Sequence, residues 1–195
     1  PSILPPLSRA ESIELTTICS IAGEVDESNP LISTRPFREV HSSITRSGLL
    51  GGGIYPSPGE ISLAHKGVLF LDELPEYKRS ALEALRQPLE DGVITISRSG
   101  GTVTYPASFM LCASMNPCPC GNYGSGKRRC TCTPNDIRKY KARISGPLLD
   151  RIDIQVEVDG VEYDDLVSEA QEETSASVKA RTDAARKVQR LRFEG

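Results

Sequence analysis

The stretch GVLFLDE at residues 67–73 decides the fold class of this chain. Four apolar residues, 68–71, are followed at once by two carboxylates, Asp72 and Glu73. A short, continuous apolar run is typical of a strand buried on both faces of a parallel sheet, which favours an α/β fold. Adjacent carboxylates at the end of such a strand are what a nucleoside triphosphatase needs, one to hold hydrated Mg²⁺ and one to activate water.

Two later segments extend this pattern. FMLCASMN at 109–116 is a second apolar run that ends in a polar tip, and GPLLDRID follows at 146–153. In this order the three segments resemble the Walker B, sensor 1 and arginine-finger segments of AAA+ ATPases. The surrounding sequence is similar to the Mg-chelatase-like subfamily of ComM and YifB type, including the segments RPFREVHSS, ALRQPLEDGVITISR and NPCPCG. The resemblance covers nearly the whole chain.

The resemblance implies a definite architecture. We expect an α/β AAA+ core over 1–160, with a mainly parallel sheet that lacks its first strand and a Cys-rich insertion at 117–133. Residues 161–195 would begin a C-terminal helical segment. Val93 to Ser97 and Thr102 to Tyr105 are β-rich runs joined by a turn signal, which predicts a hairpin before sensor 1.

The sheet leads to a prediction about strand pairing. Strands 67–72 and 108–115 should pair in parallel. In AAA+ proteins the strand that feeds the phosphate loop lies between the sensor 1 strand and the strand after the arginine finger, here 152–157. Without it, we expect 152–157 to close directly onto 108–115, to pair with another chain or to be displaced.

No G-x-x-x-x-G-K-[ST] phosphate loop is found in the sequence. GNYGSGKR at 121–128 has both glycines and the lysine, but it places Arg128 where Mg²⁺ coordination needs a hydroxyl. Cysteines flank it, so the strand-loop-helix context is also missing. In the resembling family the loop precedes the ILPPLS segment, about a dozen residues before Pro1. The chain by itself is therefore expected to be inactive.

The resemblance assigns roles to the residues at the acidic strand end. Asp72 would bind Mg-ATP by holding Mg²⁺ through its water, and Glu73 would be the base that activates the attacking water. Asn116 resembles the sensor 1 residue, whose amide would hold that water or the γ-phosphate. The competing interpretations are two solvated acids at an ordinary strand end and, for an Asn before Pro, a turn former.

Arg151 in LLDRID resembles the arginine finger, offered to the nucleotide of a neighbouring subunit. A planar, permanently charged guanidinium suits the charge spread over phosphoryl oxygens. The alternative is an ordinary salt bridge to Asp150 or Asp153. Arg143 is a weaker candidate for the same interface.

Four cysteines form a second constellation. Cys118-x-Cys120 and Cys130-x-Cys132 supply four thiolates, enough for one tetrahedral Zn²⁺, although each pair is C-x-C rather than the commoner C-x-x-C. The alternative is a set of free thiols in a mobile loop. Cys19 and Cys112 lie on apolar patterns and are interpreted as packing residues.

Several helices are expected from the sequence pattern. Ser8 can cap a helix that ends at Gly23, and residues 78–90 have helical spacing with Pro88 kinking the last turn. Helical signals return at 135–143, at 161–169 and at 176–192, where the last run suits a half-buried helix.

Charge and composition limit the function classes. The net charge of −3 gives no global attraction to nucleic acid. Basic residues nevertheless crowd one stretch, which could meet phosphates or form a solvated face: Lys127, Arg128, Arg129, Arg138, Lys139, Lys141 and Arg143. No signal peptide or apolar run long enough to cross a bilayer is evident, so a cytoplasmic protein with reduced thiols is expected.

These features lead to one functional hypothesis and two alternatives. The resemblance implies an ATP-driven ring motor, a hexamer, that acts on branched or single-stranded DNA. An enzymatic alternative is a magnesium chelatase ATPase subunit that drives metal insertion into a porphyrin. An alternative of another class is a zinc-stabilised interaction module.

Overall fold

The computed structural model describes residues 2–26, 28–98, 101–124, 126, 128–158 and 173–193. The strands are β1 (Phe37–Val40), β2 (Gly51–Gly52), β3 (Ser57–Pro58), β4 (Val68–Leu71), β5 (Val93–Arg98), β6 (Gly101–Pro106) and β7 (Met110–Ala113). The helices are α1 (Arg9–Ala22), α2 (Arg46–Leu50), α3 (Glu60–Leu63), α4 (Arg79–Ala84), α5 (Arg86–Asp91), α6 (Pro134–Lys141), α7 (Gly146–Leu149) and α8 (Ser175–Phe193), with a 3₁₀ turn at Leu74–Glu76.

The central sheet is parallel and has the strand order β1-β4-β7. In register, Phe70 of β4 lies opposite Glu39 of β1 and Cys112 of β7. Leu69 and Leu71 are fully buried because β4 is the middle strand. The predicted parallel pairing of 67–72 with 108–115 is confirmed, and the carboxyl ends of both strands therefore meet at one edge of the sheet.

The outer side of β7 is open. Within the described residues no strand pairs with this side, and Met110 is 52% exposed. Cys112 is also exposed, so its interpretation as a core packing residue is wrong. Burial of Cys112 would require a neighbouring segment on the outer side of β7, which a local sequence pattern cannot predict.

Residues 152–158 do not form the expected strand. They have no regular secondary structure, and Ile154 and Val156 are 79% and 74% exposed. Of the three expected outcomes, direct closure onto β7 is therefore not observed, whereas a displaced segment agrees with the lack of pairing in the described residues. An extended segment becomes a strand only where a neighbour accepts its backbone hydrogen bonds, and no described residue occupies that place beside β7.

The single helix expected at 78–90 is two helices, α4 and α5, which meet at Leu85. Pro88 explains the break. A proline has no N–H to donate, and its ring crowds the carbonyl of the residue four positions earlier, here Ala84 at the end of α4. Ala81, Leu82 and Leu85, around this break, are buried in the core.

Helix α1 matches its predicted bounds. Ser8 caps it, with the Glu11 N–H donating to Ser8 Oγ at 3.2 Å and the Ser8 N–H donating to Glu11 Oε2 at 2.8 Å. Gly23 ends it in the left-handed conformation, at φ 74°. Cys19 is buried against Leu15 and Ile18, so its interpretation as a packing residue is confirmed.

Helix α8 is present over the run expected at 176–192, but none of its residues is buried, so the expectation of a half-buried helix is wrong. It touches the N-terminal segment through polar contacts, from Lys179 Nζ to the Leu4 carbonyl at 3.1 Å and from Thr182 Oγ1 to the Ile3 carbonyl at 2.7 Å. The helix expected at 161–169 lies outside the described residues. None of the described helices is long and apolar enough to span a membrane.

The hairpin predicted before sensor 1 is confirmed. Strands β5 and β6 pair antiparallel along their full length, from Val93 opposite Pro106 to Arg98 opposite Gly101. A second, shorter hairpin of β2 and β3 lies beside it, because the Tyr105 hydroxyl donates to the Pro56 carbonyl at 2.7 Å. The glycine-rich segment around 51–53 is therefore part of a small hairpin.

Candidate functional site

The acidic pair lies where β4 and β7 end together. Asp72 and Glu73 are both exposed at this edge. Asp72 Oδ1 accepts hydrogen bonds from the Glu73 N–H, at 3.0 Å, and from the Ser114 hydroxyl. The Ser114 N–H donates to the Leu71 carbonyl at 3.0 Å, and the Leu74 N–H donates to the Ser114 carbonyl at 2.9 Å. Hydrogen bonds from both strand ends thus fix one carboxylate and the turn that carries the other.

Glu73 has an unusual backbone. Its φ of 52° and ψ of 49° place it in the left-handed region, which a residue other than glycine adopts at a cost of about 1–3 kcal/mol. The residue begins the 3₁₀ turn, and its carbonyl accepts the Glu76 N–H at 2.8 Å. Strained residues of this kind cluster at functional sites, where the surrounding structure holds a side chain in a required position.

Asn116 follows Ser114 by two residues and is exposed. Its backbone N–H interacts with the hydroxyl of Tyr140, a buried residue of α6. Burial is the main reason that the pKa of Tyr140 is raised, and the nearby charges of Glu76 and Glu73 raise it further, whereas the Asn116 N–H opposes the rise. Tyr140 thus lies close to both Asn116 and Glu73. The sequence motifs did not indicate Tyr140, and only its helical spacing to the half-buried Ile137 of α6 could have suggested an inward-facing residue.

Arg151 lies just after α7, and its side chain is 40% exposed. Neither expected acid, Asp150 or Asp153, is its salt-bridge partner. Its Nη2 lies 2.9 Å from Glu90 Oε2 on α5. This hydrogen bond raises the pKa of Arg151 and lowers that of Glu90. Because both side chains are well exposed, water can replace either partner easily, and the guanidinium is free to reach another acceptor.

Arg143 contacts the turn that follows the acidic pair. Its Nη1 lies 2.9 Å from Glu76 Oε1 and donates to the Pro75 carbonyl at 3.2 Å. The structure therefore brings Asp72, Glu73 and Arg143 to one region, while Arg151 is joined to α5.

The four cysteines of the insertion form one cluster. The Sγ atoms of Cys118, Cys120, Cys130 and Cys132 all lie within 4.8 Å of one another. The separations are 3.4 Å between Cys118 and Cys120, 3.8 Å between Cys118 and Cys130, and 3.6 Å between Cys120 and Cys130. A tetrahedral Zn²⁺ with Zn–S bonds of about 2.3 Å requires S···S edges of about 3.8 Å. The donor set and its spacing therefore fit zinc.

The thiols differ in their protonation. Backbone N–H groups of Asn122 and Thr131 lower the pKa of Cys120 to about 5. Burial and the neighbouring thiols raise the pKa of Cys132 to about 12. A thiolate in the cluster therefore makes ionisation of the next thiol less favourable. A divalent cation would remove this repulsion by neutralising the charge.

The cysteine insertion also contains the phosphate-loop-like stretch 121–128. Ser125 and Lys127 of this stretch lie outside the described residues. No helix follows Arg128 directly, because Cys130 and Cys132 come first and α6 begins at Pro134. The context required for a phosphate loop is absent from the described part of this stretch.

The fold and the acidic edge together define a class of protein. A parallel α/β sheet whose central strand ends in adjacent carboxylates, with a β-hairpin before the next strand, is the core of an AAA+ protein. The family model for magnesium chelatase, subunit ChlI, matches residues 1–166, and the chain belongs to this family.

Individual relatives refine the family assignment to the ComM/YifB type. The chain is 46% identical to protein YifB of Salmonella typhimurium over 188 residues, covering 96% of this chain and 37% of the relative. It is 44% identical to the competence protein ComM of Haemophilus influenzae over 189 residues, covering 96% of this chain and 36% of that protein. The chain thus spans little more than a third of the length of these relatives.

A true chelatase subunit and a solved structure are less similar. The magnesium-chelatase 67 kDa subunit of Chlorobaculum parvum is 30% identical over 92 residues, covering 42% of this chain and 15% of that protein. The crystal structure of NtrX from Brucella abortus with ADP aligns at a TM-score of 0.42 and 18% identity, covering 74% of this chain and 29% of that chain.

Proposed function

We propose that this chain is part of an ATP-hydrolysing AAA+ ring motor, and that Asp72, Glu73, Asn116 and Arg151 belong to its hydrolytic machinery. One observation carries the proposal. The Asp72 carboxylate is held by both strand ends, and the next residue, Glu73, is kept in a strained backbone conformation beside it. A surface pair of solvated acids would need neither feature.

Each residue has a distinct role in this proposal. The Asp72 carboxylate is exposed, and carboxylate oxygens are ligands that suit Mg²⁺, directly or through its water. Bound Mg²⁺ supplies positive charge to the phosphate oxygens of ATP. Glu73 takes the proton of the attacking water, and the Asn116 amide orients that water or the γ-phosphate. Arg151 of one subunit neutralises charge on the nucleotide of the next subunit.

The role of Arg151 in a neighbouring site requires self-association, and we take a hexameric ring as the assembly. The 195 residues alone contain no phosphate-loop motif, so they are proposed to bind Mg-ATP weakly and not to turn it over. The proposed domain division is a core over 1–160 with the insertion at 117–133, followed by a helical segment over 161–195. The proposed location is cytoplasmic.

DNA is the proposed partner, and the paired hairpins support it. At the turn between β2 and β3, Ile54 and Tyr55 are 86% and 87% exposed. Arg98 lies close by, because a Cβ added to Gly52 would be 3.3 Å from Arg98 Nη2. An exposed aromatic ring with a cation beside it is the combination that binds single-stranded nucleic acid by stacking and charge.

The DNA proposal predicts stimulated turnover. ATPase activity of the intact protein should rise when single-stranded or branched DNA is added, and Tyr55→Ala should weaken binding of a single-stranded oligonucleotide by about fivefold or more. Ile13→Ala, which removes another exposed apolar side chain, is the matched control and should bind as the wild type does. ATPase activity that ignores DNA but drives metal insertion into a porphyrin would favour the chelatase alternative.

We also propose that Cys118, Cys120, Cys130 and Cys132 hold one Zn²⁺. The fit of the Sγ separations to a tetrahedron supports this proposal over free thiols. Metal analysis of protein purified without chelator should give about one zinc per chain. Cys118→Ser should lower that value strongly, whereas Cys112→Ser, at an exposed cysteine outside the cluster, should not. Zinc far below one per chain in the wild type would overturn the proposal.

The alternative of an interaction module makes a different prediction from the motor. A zinc-bound chain would then be the functional unit, and the intact protein would bind its partner without ATP turnover. Measuring turnover of the intact protein separates the two.

A further inference from the structure

The cysteine cluster lies directly beside the proposed sensor residue. Cys118 follows Asn116 by two residues and is fully buried, whereas Asn116 itself is exposed. The Gly121 N–H donates to the Cys118 carbonyl at 3.0 Å and closes a tight turn. The Asn116 side chain borders this turn, because a Cβ added to Gly121 would lie 3.9 Å from Asn116 Oδ1.

The second cysteine pair, Cys130 and Cys132, leads directly into α6. Thr133 follows Cys132 and caps the helix, accepting the Asp136 N–H at 3.2 Å, while Asp136 Oδ2 accepts the Thr133 N–H at 3.0 Å. Tyr140 lies seven residues after Thr133, and its hydroxyl interacts with the backbone N–H of Asn116. Lys141 Nζ also lies 5.8 Å from the centre of the Tyr123 ring, in the cysteine insertion.

The chain segment from Ala113 to Tyr140 therefore forms a path that begins and ends near Asn116. It leaves β7 at Ala113, passes Asn116, runs through the four cysteines and returns along α6 to Tyr140. The Sγ cluster joins the outgoing half, Cys118 and Cys120, to the returning half, Cys130 and Cys132. A metal ion bound by all four Sγ atoms would cross-link the two halves directly.

We infer that the metal in this cluster positions Asn116, so that zinc binding sets the rate of ATP hydrolysis. The inference rests on the proposed ATPase function. The four cysteines and Tyr140 act through Asn116 and are positioning residues. A bound zinc holds the two halves of the path together, which keeps Tyr140 against the Asn116 backbone and fixes the Asn116 amide. Displacement of a reacting group by about 1 Å can lower a rate by about 10²-fold.

Two perturbations of the intact protein test this inference. A zinc-selective chelator in excess Mg²⁺ should lower kcat by about 10²-fold. The KM for ATP should stay within about threefold, because the main phosphate-binding groups lie elsewhere. Re-adding zinc should restore kcat. Tyr140→Phe should keep its zinc and its thermal stability but lose about tenfold in kcat, since it removes only the hydroxyl that meets Asn116.

Matched controls separate positioning from general damage. Tyr123→Phe keeps the ring beside Lys141, so it should retain both zinc and kcat. Cys118→Ser should match the chelated enzyme, and if that variant does not fold, chelation and Tyr140→Phe still decide the question.

Full kcat in zinc-free protein, or in Tyr140→Phe, would overturn the inference. Failure of the proposed function looks different, because the zinc-loaded wild-type protein would then show no ATP turnover, or Glu73→Gln would leave that turnover unchanged. If Glu73→Gln is inactive but the zinc-free wild-type protein is fully active, only the positioning role of the metal is rejected.

Discussion

Replacing Glu73 by glutamine in the intact protein should abolish ATP turnover and leave Mg-ATP binding intact. Glutamine keeps the shape of the side chain and can adopt the same backbone conformation, but it cannot accept the proton of the attacking water. Loss of a positioned general base lowers a rate by about 10²- to 10⁴-fold. Steady-state kcat together with equilibrium binding of ATP checks both halves of the expectation.

Glu39→Gln is the control for this change. Glu39 is an exposed acid on β1 of the same sheet, so its substitution removes the same charge without touching the strand end that carries Asp72. Its turnover should equal that of the wild type. Turnover of Glu73→Gln within about twofold of the wild type would reject Glu73 as the base, and loss of ATP binding would indicate a structural role instead.

The sequence alone predicted the parts of the site that depend on short-range patterns. The apolar run before Asp72 and the second run before Asn116 predicted two parallel strands whose ends meet, and the register of β4 with β7 confirms this. The turn residues between β5 and β6 predicted the hairpin. The apolar runs and the turn are local patterns, whereas the pairing of β4 with β7 joins distant parts of the chain and was expected from the resemblance to AAA+ proteins.

Other features depend on partners far along the chain. Arg151 pairs with Glu90, 61 residues away, although two acids lie within two residues of it. Cys112 has the apolar neighbours of a core strand, yet it is exposed because nothing described covers the outer side of β7. Residues 152–157 were expected as a strand because the resemblance to AAA+ proteins implied one there. A strand's burial and pairing are set by its neighbours in space, which spacing along the sequence does not specify.

Arg151→Ala should lower kcat by about 10³- to 10⁵-fold in the intact protein, because an arginine finger stabilises charge that develops during phosphoryl transfer. The fold should be unaffected, since Arg151 is exposed and its only described salt-bridge partner is the exposed Glu90. Glu90→Ala discriminates between the two interpretations of this residue. It removes the ion pair but leaves the guanidinium, so it should keep nearly full turnover, as should Arg86→Ala on the same helix.

Mixing subunits tests whether Arg151 acts on a neighbouring site. Glu73→Gln subunits keep Arg151, and Arg151→Ala subunits keep Glu73, so a mixed ring contains interfaces at which both intact groups face one nucleotide. Two inactive preparations should therefore regain measurable turnover when mixed, and the gain should depend on their ratio. If Arg151 served the nucleotide of its own subunit, no mixture would recover activity, because every site would lack one of the two groups. Recovery would establish that one subunit completes the site of the next, which a salt bridge to Glu90 alone cannot explain.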